Sequence, residues 1–155
     1  MDFIIGGLTN MILKIMKINK NAIIPNHATA GSAGMDLCAC INEPVTIPAR
    51  GHAIIPTGIA ISIPQNYAAM VYARSGLAIK HGIGLLNSVG VIDSDYRGEI
   101  KVGLVNQFDK DYEIQPNERI AQLIIQPISH PEIIECDTLD DTQRGSGGFG
   151  STGKM

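Results

Sequence analysis

The chain is 155 residues long, room for a single domain that buries roughly 70% of its extended surface. Its 12 Lys and Arg against 15 Asp and Glu leave a formal charge of −3, which argues against a broad basic face for nucleic acid but leaves room for a local cationic pocket. Apolar residues make up 45% and aromatics only 5%, with no Trp, so the core must be built from aliphatic side chains; 17 Gly and 8 Pro suit many turns better than a helical bundle.

The opening "MDFIIGGLTNMILKIMK" lacks a basic start and a long apolar run. No stretch reaches the roughly 20 apolar residues of a membrane span. A soluble, reducing, cytoplasmic setting is the expectation, with no membrane and no nucleic acid as partner. Residues 1–11 read as an N-terminal extension, because regular alternation begins only beyond them.

From there the dominant period is two. "ILKIMKI", 12–18, reads as a strand. "AGSAGMDLCA", 30–39, is a small-residue turn that leads through Asp36 into a short apolar strand; the carboxylate is expected to cap local amides. Cys38 and Cys40 would share one face of that strand as core filler. With Cys136 they make an odd count of three, which is no disulfide framework, and His27, His52, His81 and His130 show no ligand spacing. A metal held mainly by protein side chains is therefore not expected.

"HAIIPTGIAISIP", 52–64, is a β run broken at "PTG", and "YAAMVYAR", 67–74, is another strand. "ARSGLA", 73–78, closes that strand with Arg74 and Ser75 and opens the one expected helix, near 75–82. Amides at a helix start beside a guanidinium and a hydroxyl suit an anion, although Ser75 equally suits a simple cap. Lys80 and His81 read as exposed turn residues. "HGIGLLNSVGVID", 81–93, sets Asn87 in a glycine-bounded bend where an amide could read the edge of a planar base. "GVIDSDYRG", 90–98, packs two carboxylates, a phenol and a guanidinium between glycines.

"EIKVGLVNQF", 99–108, alternates Ile100, Val102 and Leu104 against Lys101, Gly103 and Val105. "ERIAQLIIQPI", 118–128, is strand-like, and "PEIIEC", 131–136, reads as a further short pairing segment. Turn signals such as "NEP", "PARG", "IPQN" and "QPNE" recur every 8 to 12 residues, the cadence of an all-β sandwich, barrel or jelly roll. The ending "DTQRGSGGFGSTGKM", 141–155, has the composition of a flexible tail. An Arg, then glycines, then an aromatic also suits a closing arm over phosphates.

Neither a Walker motif nor a dinucleotide fingerprint is present. Instead, glycine-flanked polar clusters recur at strand ends, two with arginine (Arg74, Arg144) and two with acid (Asp36, Asp93/Asp95). That pattern suits a phosphorylated ligand together with Mg²⁺ held largely through its waters. Scattered short clusters also suggest a site assembled between subunits.

Taken in order, "AGSAGMDL", "ARSGLA", "GVIDSDYRGEI", "ERIAQLII" and "RGSGGFGSTG" resemble the five motifs of the trimeric dUTPase family, over about residues 12–153. The resemblance implies a distorted β jelly roll of the β-clip type, spanning 12–140 with a C-terminal arm over 141–155, and a homotrimer with shared sites. It implies Mg-assisted hydrolysis of dUTP to dUMP and pyrophosphate by water activated at Asp93. Tyr96 would lie beneath deoxyribose, and Asn87 with Gly90 would read uracil. Arg74, Ser75, Gly76 and Gln122 would contact the phosphates, Gln122 as part of the catalytic set. Asp36 would hold the water shell of magnesium. From the arm, Arg144, Gly150, Ser151 and Thr152 would bind phosphate, and Phe149 would cover uracil. Asp95 is expected to be structural, held by Arg97 or another arginine at the subunit contact. Met35 and Ala73 depart from the family pattern at packing positions.

Two rivals stand beside this reading. dCTP deaminase shares the ancestry, but its chemistry wants a glutamate farther along than Glu99. A catalytically silent relative acting through a partner would lack a chemical group, and none is missing.

Overall fold

The computed structural model describes residues 11–148. Residues 1–10 of the expected extension, and Phe149, Gly150, Ser151 and Thr152 of the expected arm, lie outside the described residues.

Eleven short strands and one helix follow one another along the described chain. They are β1 (Lys14–Lys17), β2 (Met35–Cys38), β3 (Val45–Ile47), β4 (His52–Pro56), β5 (Ile59–Ser62), β6 (Tyr67–Tyr72), α1 (Ser75–His81), β7 (Ile83–Leu85), β8 (Gly90–Ile92), β9 (Lys101–Asn106), β10 (Tyr112–Ile114) and β11 (Arg119–Pro127). All pairings between strands are antiparallel. A four-stranded sheet runs β2-β11-β6-β8 and a three-stranded sheet runs β4-β9-β7, with β1-β5 and β10-β3 as two-stranded ribbons. The result is the all-β architecture expected from the cadence of turns, in the jelly-roll form that the family resemblance implied.

The alternation has a direct physical cause. On β9, Val102, Leu104 and Asn106 point inward and Lys101 outward, so every second residue joins the core. One contiguous cluster holds Leu37, Ile47, Ile55, Ile59, Ile83, Leu104, Ile114, Ile120 and Leu123, all essentially without solvent contact. Burying each such aliphatic side chain is worth about 1.5–3 kcal/mol, which compensates for the scarcity of aromatics.

The break at "PTG" is a sheet change rather than a hairpin. β4 pairs with β9, whereas β5 pairs with β1. Gly58 turns the corner at φ +69, and a Cβ there would stand 2.7 Å from Cys40 Sγ and 2.9 Å from Ala22 Cβ. Other turns use left-handed Asn66 and Asn117 in the "IPQN" and "QPNE" stretches.

Two expectations fail here. Residues 131–136 form no strand; Ile133 and Ile134 are 93% and 74% exposed, and among the described residues no strand pairs with them. Lys80 and His81 are not turn residues but the last turn of α1, where His81 packs against Tyr112 with ring centroids 4.8 Å apart.

Candidate functional site

Expected site residues line two cavities, one where the four-stranded and three-stranded sheets meet and one at the β2, β11 and α1 end of the four-stranded sheet. The first, about 240 Å³, is lined by Asn87, Gly90, Asp93, Tyr96, Glu99 and Lys101, among others. The second, about 350 Å³, is lined by Asp36, Arg74, Ser75, Gly76, Arg119 and Gln122, with Ser32 and Gly34 at its edge. The two share no lining residue.

In the first cavity, the bend between β7 and β8 carries Asn87. Ser88 takes φ 62, Val89 N–H donates to Asn87 O at 2.6 Å, and Ser88 N–H to Leu85 O at 3.2 Å. This tight bend leaves Asn87 exposed, with its amide free of side-chain bonds within the described residues. Gly90 pairs with Val71 of β6, whose Cβ would stand 3.0 Å from a Cβ on Gly90. Asp93 follows β8 directly and is exposed; its carbonyl accepts Tyr96 N–H at 3.2 Å. The Tyr96 ring folds back over Gly98, so closely that any side chain there would collide with the phenol, and its hydroxyl donates to Glu99 O at 3.1 Å. Of the two alternatives for Asp95, Arg97 does not hold it. Its guanidinium donates to Ser94 O and Tyr96 O, at 2.7 and 2.8 Å, because local carbonyls lie nearer than the carboxylate.

The second cavity centres on Asp36. Its carboxylate does not cap local amides, as the turn "AGSAGMD" suggested. It takes Arg74 Nε at 2.9 Å and Arg119 Nη1 at 3.1 Å, one on each oxygen. The turn instead closes through Thr29 N–H to Ser32 Oγ at 3.1 Å. Arg74 also donates to Arg119 O at 3.0 Å. Arg74 is the residue before α1, and no side chain caps the helix. Ser75 is therefore its first helical residue rather than its cap, and its hydroxyl is exposed beside Gly76. Gln122 donates through Nε2 to Ala73 O at 2.9 Å.

Sequence reading missed Arg119. On a regular strand, Arg119 and Gln122, three apart, would point to opposite faces. A β-bulge between Arg119 and Ala121 inserts Ile120 without a partner, so Arg119 pairs with Cys38 and Gln122 with Asp36. Cys38 and Asp36 are two apart on β2, so the bulge brings Arg119 and Gln122 to one face. Two buried residues in succession, Ile120 and Ala121, are its trace in "ERIAQL".

Arg144 lines neither cavity. It sits in a local turn, with Nε donating to Gly147 O at 2.8 Å and Gly145 N–H donating to Thr142 O at 3.0 Å.

Chemically, the second cavity is a two-arginine, one-carboxylate basin with helix-start amides and an amide side chain, suited to phosphate. Each Asp36 oxygen has one lone pair left after its arginine, able to accept hydrogen bonds from waters on a cation. That fits a magnesium ion carried by a triphosphate. Among the described residues no three His, Cys, Asp or Glu gather as a metal cage. The first cavity joins an exposed carboxylate, an aromatic plate and an amide bend, suited to a nucleoside.

A family model described as dUTPase matches residues 20–153. The deoxyuridine 5'-triphosphate nucleotidohydrolase of Wolinella succinogenes is 48% identical over 147 residues, 95% of this chain and 97% of that protein. That of Nautilia profundicola is 51% identical over 144 residues, covering 93% of this chain and 100% of its own length. The Staphylococcus bacteriophage 80alpha dUTPase solved with dUPNHPP superposes with a TM-score of 0.83 at 29% identity, over 92% of this chain and 98% of that one. This chain belongs to the dUTPase family, the deoxyuridine 5'-triphosphate nucleotidohydrolases.

Proposed function

We propose that the chain hydrolyses dUTP to dUMP and pyrophosphate by attack of an Asp93-activated water on the α-phosphate. The observation that carries the reading is the division into a nucleoside-type cavity around Asp93 and Tyr96 and a phosphate-type cavity around Asp36 and Arg74. The two cavities have separate linings, and in this reading one nucleotide is bound between the first cavity of one copy and the second of another, as in a homotrimer with three shared sites.

Within that arrangement the bend at Asn87 and Gly90 reads uracil. Tyr96 underlies the deoxyribose and leaves no space for a 2′-hydroxyl. Asp93 holds the attacking water and accepts its proton. Arg74, Ser75, Gly76 and Gln122 bind phosphate oxygens and stabilise the charge that develops on leaving pyrophosphate. Asp36 would hold Mg²⁺ through its waters, and the ion would supply further neutralisation of the triphosphate. Arg144, Gly150, Ser151 and Thr152, with Phe149 over the base, close the arm and exclude water. No helix among the described residues is long and apolar enough to cross a membrane, and the cytoplasm, where nucleotide pools reside, is the proposed location.

A panel of dUTP, UTP, dTTP and dCTP, with and without magnesium, tests this reading. Pyrophosphate from dUTP alone, magnesium-dependent and without ammonia from dCTP, is the expected result. Asp93→Asn should keep nucleotide binding and lose turnover by about 10²–10⁴. Unchanged turnover in that variant rejects the assignment.

A further inference from the structure

We propose that Glu99 is a positioning residue that holds Tyr96 in place and thereby sets the preference for deoxyribose. This rests on the reading of Tyr96 given above.

Residues 93–97 hold themselves together mainly by bonds within their own turn. Tyr96 N–H donates to Asp93 O, and Arg97 donates to Ser94 O and Tyr96 O. Such bonds fix the shape of the turn but not its position on the sheet. Among the described residues the Tyr96 side chain has one polar contact, from its hydroxyl to Glu99 O. The ring therefore sits wherever the backbone of Glu99 sits.

Glu99 in turn is tied to the corner between β4 and β5. Its Oε1 accepts Gly58 N–H at 2.9 Å, across 41 residues of sequence. The following residue is bound to the same corner three times. Thr57 Oγ1 donates to Ile100 O at 2.6 Å, Thr57 N–H to Ile100 O at 3.2 Å, and Ile100 N–H to Ile59 O at 2.9 Å.

The corner itself is locked. Thr57 is 2% exposed. Gly58 O accepts Ile18 N–H at 2.8 Å and Asn19 N–H at 3.1 Å, while Cys40 and Ala22 crowd its Cα. The other polar contact of the Glu99 carboxylate is distant, at 3.8 Å from the half-exposed Lys101 ammonium. The short carboxylate–amide bond to Gly58 thus directs Glu99 and transmits a rigid corner to the aromatic plate three residues earlier. Glu99 itself lines the first cavity, but its anchors Thr57 and Gly58 do not, so the corner acts on the site from outside it through Glu99.

The test is the ratio of kcat/KM for dUTP to kcat/KM for UTP in three variants, with thermal melting to confirm folding. Glu99→Gln keeps an oxygen for Gly58 N–H and should preserve the ratio. Glu99→Asp, one methylene short, and Glu99→Ala should each lower it by about tenfold, since small misplacements of positioning groups cost this much or more. Should Glu99→Ala fail to fold, the comparison of Asp with Gln carries the decision. Equal losses for both substrates, or an unchanged ratio in the Asp and Ala variants, overturn the proposal. Tyr96→Ala is the control. If it collapses the ratio while the Glu99 variants do not, only the role of Glu99 fails; if it leaves the ratio intact, the reading of Tyr96 fails and the Glu99 proposal with it.

Discussion

Gly34 and Gln122 approach so closely that a Cβ on Gly34 would lie 2.8 Å from Gln122 Oε1 and 3.3 Å from Gln122 Cβ. The missing side chain on the loop before β2 leaves the space that the Gln122 amide occupies on β11. Gln122 is fixed on its other side by its bond to Ala73 O.

Gly34→Ala should therefore push Gln122 out of the phosphate cavity. The cost in stability is about 1–3 kcal/mol, that of overpacking. Turnover should fall by more than stability predicts, which steady-state kinetics beside a denaturant melt will show. An active variant with an unshifted kcat would mean that Gln122 does not act from this position.

The Asp36 carboxylate bridges Arg74 and Arg119. Asp36→Asn removes the charge while keeping the shape, and the partly exposed pairs should cost about 1 kcal/mol or less of stability. The magnesium concentration for half-maximal activity should rise, because a neutral amide holds the waters of a cation less well. A magnesium titration measures this; an unchanged midpoint would remove Asp36 from the metal's surroundings.

Tyr112 supplies a pH dependence at the alkaline end. Its phenol is pushed up to about 12 by burial, then by the hydrogen bond and charge of Glu118, whose Oε1 accepts the hydroxyl at 2.7 Å. In the unfolded chain a tyrosine ionises near about pH 10. Between these values the unfolded chain has released a proton that the folded chain retains, so stability is complete below the lower value and falls as pH rises toward the upper one. Ultraviolet titration should show a phenol step displaced toward about pH 12. Tyr112→Phe should remove both that step and its share of the alkaline loss.

The cysteines should differ sharply in reactivity. Cys38 is buried, and burial first, then the Asp36 charge, raises its thiol above the ordinary range. Cys136 is exposed. Alkylation of the native protein at about pH 8 should label Cys136 and spare Cys38 until the chain unfolds. Mass spectrometry of the peptides distinguishes the two sites, and rapid labelling of Cys38 would contradict its burial.

Much of the frame was legible in the chain. The period-two alternation at 99–108 reads directly as β9, because a strand with one face on a core must alternate. The break at "PTG" marks a corner, since Gly58 takes a left-handed φ. Residues 131–136 misled because an apolar, strand-like composition specifies no partner, and pairing requires one. Most of the candidate site was legible as well, since Asn87, Gly90, Asp93 and Tyr96 lie within ten residues and reach one cavity together.

What local order could not contain is contact between distant segments. Arg119 reaches Asp36 because a bulge at Ile120 shifts one strand by a residue, and its one local trace, the successive apolar Ile120 and Ala121, does not say which strand it is shifted against. Asp36 looked like a turn cap until β11 and the end of β6 brought two guanidiniums to it. Glu99 meets Gly58 across 41 residues. Sequence by itself determined which segments alternate, where the chain turns and which chemical groups are present, because those follow from each residue's neighbours along the chain. Only the tertiary structure decided that Gly90, Asp93 and Tyr96 line one cavity, that Asp36, Arg74 and Arg119 line another, and that Glu99 meets the corner at Gly58, because register and sheet crossing are set by the packing of the whole core.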